Sequence, residues 1–204
     1  MKFLPAITLM TCLLMSCGSP NLDDPATLDK ILAEAMVWDS LQKRGKEGEE
    51  LYYAPNQQTP FTGWAKKMYE NGQVSFLLQL AEGLQNGLLN EWHENGQKRL
   101  EVNLVNGLRQ GLEIEWYKSG QKFTEVNIVD GQLDGLCINW YKNGQKMIEG
   151  TYKRGLPITA ESWKPNGEKC SETNLSNGHG TVVFYQDNGS VKGKFKFKDG
   201  ERVK

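Results

Sequence analysis

The residues of this chain that could do chemistry are two histidines, four cysteines, and regularly spaced glutamates and tryptophans. His93 and His179 lie at no metal-ligand spacing and beside no nucleophile, so we expect solvated surface residues. The glycine-rich motif that cradles a nucleotide phosphate is missing from the sequence. These patterns predict no catalytic residue, no metal site and no cofactor, and therefore a protein that is not an enzyme.

A column of glutamates recurs at intervals of 23 or 24 residues, at Glu101, Glu125, Glu149 and Glu172. Such a column could bind a cation or a basic partner; the alternative is that neighbouring lysines, arginines and solvent screen it. The hairpin register that we predict places Glu113 opposite Glu125, and like charges in that position lower the stability of a sheet unless they are screened.

Two cysteines fall in the predicted sheet, Cys137 and Cys170. We expect both on one face, three strands apart, which is about 14 Å at the usual strand spacing. A disulfide needs Cα atoms about 4.4–6.8 Å apart. The sequence therefore predicts that these two cysteines are not bonded to each other.

The other two cysteines lie near the N-terminus, in a segment typical of secretion. Lys2 precedes an apolar run, Leu4–Met15, that is too short to span a bilayer. Residues 14–17, Leu-Met-Ser-Cys, resemble the bacterial lipobox, whose cysteine is lipidated and becomes the first mature residue. The resemblance implies a lipid on Cys17, with an ordinary cleaved signal or an uncleaved anchor as the alternative.

The elements that must position these residues repeat along the chain. Glycine, tryptophan and a second glycine each recur every 24 residues, at Gly87, Gly111 and Gly135, at Trp92, Trp116 and Trp140, and at Gly96, Gly120 and Gly144. Fixed-period self-similarity is typical of a repeat array, in which each unit packs only against its neighbours. Further units begin at Phe61, Thr159 and Gly180.

Each unit has the pattern of a β-hairpin. Lys164-Pro165-Asn166-Gly167 suits a three-residue loop in which the glycine takes a left-handed conformation. The corresponding turn glycines are Gly72, Gly96, Gly120, Gly144, Gly167 and Gly189. This loop pairs Tyr141 with Gln145, and a regular strand then pairs Ile138 with Ile148 and Leu136 with Gly150.

The same register divides the side chains between two faces. We expect the tryptophans on the packed face, together with the leucines and valines of the return strands, among them Leu100 and Val102. Tyr117, Tyr141, Cys137 and the glutamates then lie on the wet face. If the tryptophan column stays partly exposed, a contiguous apolar strip marks a binding surface. Its candidate residues are Trp92, Trp116, Trp140, Trp163, Tyr117 and Tyr141.

The recurring pattern Trp-Tyr-x-Asn-Gly-Gln-Lys resembles the MORN-repeat variant family of bacterial proteins, many of them labelled as antitoxins of the YwqK type. The resemblance runs from Phe61 to about Gly200. It implies an all-β, elongated, open antiparallel meander of about six hairpins of 22–24 residues. A short helix over 26–36 should precede it, because Asp24 can cap the helix and Pro25 suits its first position.

We accordingly expect a signal peptide at 1–16, a tether at 17–25, the helix and the segment leading into the array at 26–60, and the array at 61–204. With 24 basic and 25 acidic residues, nothing indicates a nucleic-acid partner. The predicted protein is a lipoprotein in the bacterial cell envelope, at the outer membrane or the periplasmic side. It would bind a protein or an envelope component; the alternative is an antitoxin or immunity protein that binds a cognate toxin.

Overall fold

Antiparallel strands follow one another in sequence order along most of the chain. The computed structural model describes residues 20–203, so the predicted lipidation site, Cys17, lies outside it. One helix, α1, spans Pro25–Glu34, and a short 3₁₀ turn spans Trp38–Ser40. The strands are β1 Met36–Val37, β2 Gln42–Arg44, β3 Leu51–Tyr53, β4 Gly63–Met68, β5 Val74–Ala81, β6 Leu84–Trp92, β7 Lys98–Val105, β8 Leu108–Trp116, β9 Lys122–Val129, β10 Gln132–Trp140, β11 Lys146–Lys153, β12 Leu156–Ser162, β13 Gly180–Tyr185, β14 Val191–Lys198 and β15 Glu201–Val203.

Helix α1 begins where its cap predicts. The Asp24 side chain accepts a hydrogen bond from the Thr27 amide at 2.9 Å, and Pro25 occupies the first turn. The helix is only ten residues long and has no fully buried side chain. Isolated helices of this length are marginal in water. Its stability therefore comes mainly from packing against the sheet.

The main sheet has ten strands, in the order β1, β4 and then β5 to β12. Strand β1 runs parallel to β4 and every other pair is antiparallel. The predicted fold class, an open all-β meander with a short N-terminal helix, is confirmed. Strands β2 and β3 form a separate two-stranded sheet, and strands β13 to β15 form a separate three-stranded sheet.

The fifth repeat departs from the predicted meander of about six hairpins. Its Asn-Gly turn forms, but in the described chain no return strand follows β12; two isolated bridges, Trp163–Lys169 and Ala160–Leu175, take its place. The chain instead folds over at Cys170–Thr173, where the Ser162 and Thr173 hydroxyls lie 2.6 Å apart. This irregular segment separates the two sheets.

The tight turns have the geometry that the Asn-Gly motif predicts. In the fourth repeat the Tyr141 amide donates to the Gln145 carbonyl at 2.8 Å, and the Gly144 amide donates to the Tyr141 carbonyl at 2.9 Å. The turns that join one repeat to the next are tight two-residue turns. In each, two residues with positive φ join directly paired strands, for example Asp130 at 50° and Gly131 at 76°, which is a type I′ turn.

Every repeat except the fifth forms a hairpin with a one-residue β-bulge just after the tight turn. In the fourth repeat Trp140 pairs with Lys146 but Asn139 pairs with Ile148, so Met147 is the extra residue. The predicted pairs Ile138–Ile148 and Leu136–Gly150 are therefore wrong by one position; Ile138 pairs with Glu149 and Leu136 with Thr151. The same shift pairs Glu125 with Ile114, so Glu113 and Glu125 do not face each other.

The bulge also moves the tryptophans to the opposite side of the sheet from the one that we predicted. One side, the leucine face, carries the apolar residues of the return strands: Leu78, Leu80, Leu100, Val102, Leu104, Val126, Ile128 and Ile148. Its two ends are covered by Trp38, Leu41, Tyr52 and Phe61 and by Leu175 and Val182. The other side, the tryptophan face, carries Leu112, Ile114 and Trp116 on β8, Leu136, Ile138 and Trp140 on β10, and Trp163 after β12.

Candidate interaction surface

The tryptophan face has alternating apolar and charged strands. Leu112 and Leu136 are 49% and 38% exposed, and the isoleucines and tryptophans beside them are half-buried. The intervening strands β7, β9 and β11 carry a lysine and, three residues later, a glutamate. Because the bulge places both side chains on one face, Lys98 lies 2.7 Å from Glu101 and Lys122 lies 2.5 Å from Glu125; Lys146 pairs with Glu149.

Each of these lysines also reaches the tryptophan of the next repeat. The ammonium nitrogens of Lys98, Lys122 and Lys146 lie 5.6, 5.8 and 5.0 Å from the ring centroids of Trp116, Trp140 and Trp163. A cation at this distance is attracted to the negative face of an indole. The predicted glutamate column is therefore neutralised within the sheet by lysines, which was the alternative to a cation site.

The tyrosine column joins neighbouring repeats. The hydroxyls of Tyr69, Tyr117 and Tyr141 each donate to the tryptophan carbonyl of the next repeat at 2.8 Å, namely Trp92, Trp140 and Trp163. His93 occupies the same column, with Nε2 2.9 Å from the Trp116 carbonyl. Because a carbonyl accepts only, Nε2 must carry the proton. This histidine binds the backbone rather than lying free in solvent as we expected.

The six predicted surface residues are placed differently from one another. Trp92 is 6% exposed and packs under α1, and Tyr141 is 1% exposed. Burial raises the pKa of Tyr141 to about 12, and the nearby Asp187 carboxylate adds to the shift. Trp116, Trp140, Trp163 and Tyr117 are half-buried and keep part of their surface open. A binding role for these four stays a prediction.

Sequence reasoning missed Leu112, Leu136 and the two isoleucines as surface residues, because the predicted register put them in the core. A signal was present. Lysine and glutamate recur three residues apart in three consecutive repeats, and on a regular strand such residues point to opposite faces. A repeated lysine–glutamate pair at that spacing indicates a bulge between them.

Cys137 and Cys170 are not bonded to each other, as predicted, but Cys137 lies on the leucine face beside Val126 and Ile128 rather than on the wet face. Burial raises its pKa to about 11, so the thiol is protonated at neutral pH. Cys170 is 4% exposed. Burial disfavours its thiolate, but hydrogen bonds from Tyr185 and Thr173 outweigh burial and lower its pKa.

Glu113 is a buried charged residue, 4% exposed on the leucine face. Arg109 Nη1 donates to both carboxylate oxygens at 2.8 Å. Desolvation by burial still raises its pKa, because it outweighs the attraction of Arg109. Glu149 and Glu161 are directly opposite each other, and each is paired with a lysine, Lys146 and Lys169 respectively.

No group of three potential metal ligands occurs among residues 20–203. One open cavity of about 410 Å³ lies where β12 meets residues 173–176 and is lined by threonines and by Glu149 and Glu161. His179 is exposed and lies 3.1 Å from Asp199. Within the described chain, α1 is too short and too polar to cross a bilayer.

Comparison with known proteins shows that part of this architecture is similar to a repeat family. Among curated proteins, none matches the chain. The profile of the MORN repeat variant family matches residues 133–154 and 178–199. These segments are the β10–β11 and β13–β14 hairpins, each with its Asn-Gly turn at the same place. The chain is thus a repeat protein, two of whose hairpins are similar to the MORN repeat variant.

Proposed function

We propose that this protein is a non-enzymatic platform that binds another protein through the tryptophan face. The observation that carries the proposal is the exposure of Leu112 and Leu136 beside half-buried isoleucine and tryptophan side chains. Contiguous apolar surface of this kind, rimmed by polar residues, is typical of protein interaction sites. The leucine face is covered at both ends by other parts of the chain.

A membrane anchor forms the second part of the proposal. The lipobox resemblance supports lipidation of Cys17, and acyl chains contribute about 0.8 kcal/mol per buried CH₂, so two or more chains hold a protein stably. Asp23 contacts Lys98 of the sheet, so a lipid on Cys17 would hold the array within a few residues of the bilayer. The location that follows is the cell envelope, at the outer membrane or the periplasmic side. Replacing Cys17 with Ala should release the protein from the membrane fraction; a variant that stays bound would disprove the anchor.

The test of the binding surface is a charge introduced into its apolar strips. Leu112→Asp with Leu136→Asp should abolish crosslinking of the full chain to its partner in native membranes, because carboxylates cannot be desolvated against an apolar partner. The matched control is Val191→Asp with Val203→Asp, since these residues are 57% and 40% exposed on the separate three-stranded sheet. Equal loss of crosslinking in both variants would refute the assignment of the surface.

The crosslinked species also separate the two candidate roles. A single tight and stoichiometric toxin would favour the antitoxin or immunity function that the family resemblance implies. Several weaker envelope proteins would favour a general interaction platform. Mass spectrometry of the crosslinked material distinguishes these outcomes directly.

A further inference from the structure

One helix already lies on the tryptophan face. Leu28, Ile31 and Leu32 of α1 pack against a cluster of buried and half-buried residues from three consecutive strands: Trp64 on β4, Val74 and Leu77 on β5, and Trp92 on β6. The helix therefore crosses the strands. The Lys66 ammonium also donates to the Leu32 carbonyl at 2.5 Å. Strands β4 to β6 thus show that this face accepts an amphipathic helix laid across its strands.

The surface that α1 covers ends after β6, because two apolar positions of β5 are charged on β7. Val74 and Leu77 occupy the places that Lys98 and Glu101 hold 24 residues later. Asp23, which precedes α1, forms an ion pair at 2.6 Å with Lys98, the first of these charged residues. Beyond this point the face keeps its apolar strips on β8 and β10, but a charged strip separates them.

The spacing of these strips fits a helix, and it fits an extended segment less well, because side chains on one face of a strand lie about 6.6 Å or about 13.2 Å apart. Leu112 and Leu136 lie two strands apart, about 9.6 Å at the usual strand spacing. Seven residues of α-helix rise about 10.5 Å. A helix crossing the strands can therefore place one apolar side chain over each strip, at every seventh residue, and charged side chains over β9.

We propose that the open part of the tryptophan face, from Trp116 to Trp163, binds an amphipathic helix of a partner protein. This helix continues the line of α1, carries apolar residues seven apart, and has charges of both signs between them to meet Lys122 and Glu125. The inference rests on the proposed protein-binding function and names the kind of segment that is bound. An extended segment, a second copy of this chain and a lipid are the competing occupants.

Photo-crosslinking at two positions measures the geometry of the occupant. Leu112 and Leu136 are replaced, one at a time, by a photo-crosslinking amino acid in the full chain, in native cells, and the attachment sites are mapped by mass spectrometry. A bound helix places the two sites about seven residues apart in one partner segment. Sites about three residues apart would indicate an extended segment and overturn the proposal.

Other results also overturn it. Attachment to lipid, attachment to another copy of this chain, or no adduct at all would each exclude a partner helix at this surface. The result remains separable from the proposed function. If Leu112→Asp with Leu136→Asp abolishes partner binding while the attachment sites are three residues apart, the protein-binding function stands and only the helix is wrong.

A charge swap tests the strip between the apolar residues. Lys122→Glu with Glu125→Lys keeps an ion pair on β9 but reverses the charge pattern that a partner meets. Crosslinking yield at Leu136 should fall about tenfold, because like charges are then brought together. The matched control is the same swap at Lys43 and Glu50, an ion pair at 3.4 Å in the β2–β3 region, which should leave the yield unchanged. Unchanged yield after the β9 swap would overturn the charge complementarity in the proposal.

Discussion

The tyrosine column gives a direct measure of how strongly adjacent repeats hold each other. Tyr141→Phe removes one hydroxyl and leaves the Trp163 carbonyl without the donor that lies 2.8 Å away. Tyr141 is 1% exposed, so water cannot easily replace that donor. Leaving a buried acceptor unpaired costs about 1–3 kcal/mol of unfolding free energy. In a protein of this size that corresponds to a melting temperature lower by about 2–4 °C per kcal/mol.

Two matched variants calibrate this loss. Tyr117→Phe removes the equivalent bond at a half-buried site, so water can partly compensate and the cost should be about 0.5–1.5 kcal/mol. Tyr52→Phe should cost less than about 0.5 kcal/mol, since its ring packs on Trp38 but within residues 20–203 its hydroxyl makes no hydrogen bond. Urea unfolding supplies all three values, provided that the slope with urea does not change.

The same residue predicts a specific response to alkaline pH. The folded pKa of Tyr141 is about 12, above the ordinary value of 10.0, so folding favours the neutral phenol. Its contribution to stability is therefore fully present below pH 10 and is lost as the pH rises towards 12. Between pH 10 and pH 12, the free energy of unfolding should therefore fall less steeply with pH in Tyr141→Phe than in the unchanged protein. The Tyr141 hydroxyl does not hold adjacent repeats together if Tyr141→Phe lowers the free energy of unfolding no more than Tyr52→Phe does. The same conclusion follows if the pH dependence of stability above pH 10 is unchanged in Tyr141→Phe.

Four further substitutions test other parts of the fold by urea unfolding. Gly155→Ala should cost about 1–2 kcal/mol for its left-handed φ alone, whereas Gly178→Ala should cost more, because its Cβ would also lie 2.7 Å from a backbone nitrogen. Glu113→Gln should raise the free energy of unfolding at pH 7. Burial raises the pKa of Glu113 even with Arg109 beside it, so ionisation of this carboxyl lowers stability as the pH rises through that pKa. A lower free energy of unfolding in Glu113→Gln would contradict this reasoning. Leu77→Ala should lower the free energy of unfolding by about 2–5 kcal/mol and release α1 from the sheet, which circular dichroism would show as lower helicity. Unchanged helicity would argue against the packing of α1 on Leu77.

The sequence was sufficient to predict the hairpins, their order and the Asn-Gly turns, because those features depend on local chemistry. Asparagine and glycine set the backbone of a turn without help from the rest of the fold. The bulge was harder to predict, because its extra residue, Met147 in the fourth repeat, resembles any alternating strand residue. The end of the meander was harder still. It depends on the Ser162–Thr173 contact, which joins residues eleven apart through an irregular segment.

The helix seat was within reach of sequence reasoning but required comparison between repeats. Val74 and Leu77 stand where later repeats have lysine and glutamate, and two apolar residues at charged positions indicate that something covers them. What covers them was not evident from spacing alone. Only the packed structure shows that α1, which is close in sequence, turns back over this end of the sheet.

The bulge separates two functions that a regular hairpin would combine. With an unbroken alternation, the tryptophans would share a face with Leu100 and Val102, and any change in a binding residue would disturb the packed core. One extra residue per hairpin instead places tryptophans with lysines and glutamates, where neighbouring charges already satisfy one another. Substitutions at exposed positions such as Leu112 and Leu136 therefore cost little stability, since surface changes usually shift unfolding free energy by less than about 0.5 kcal/mol. A repeat with this bulge can thus change its partner while keeping its core, and that independence follows from one inserted residue rather than from a different fold.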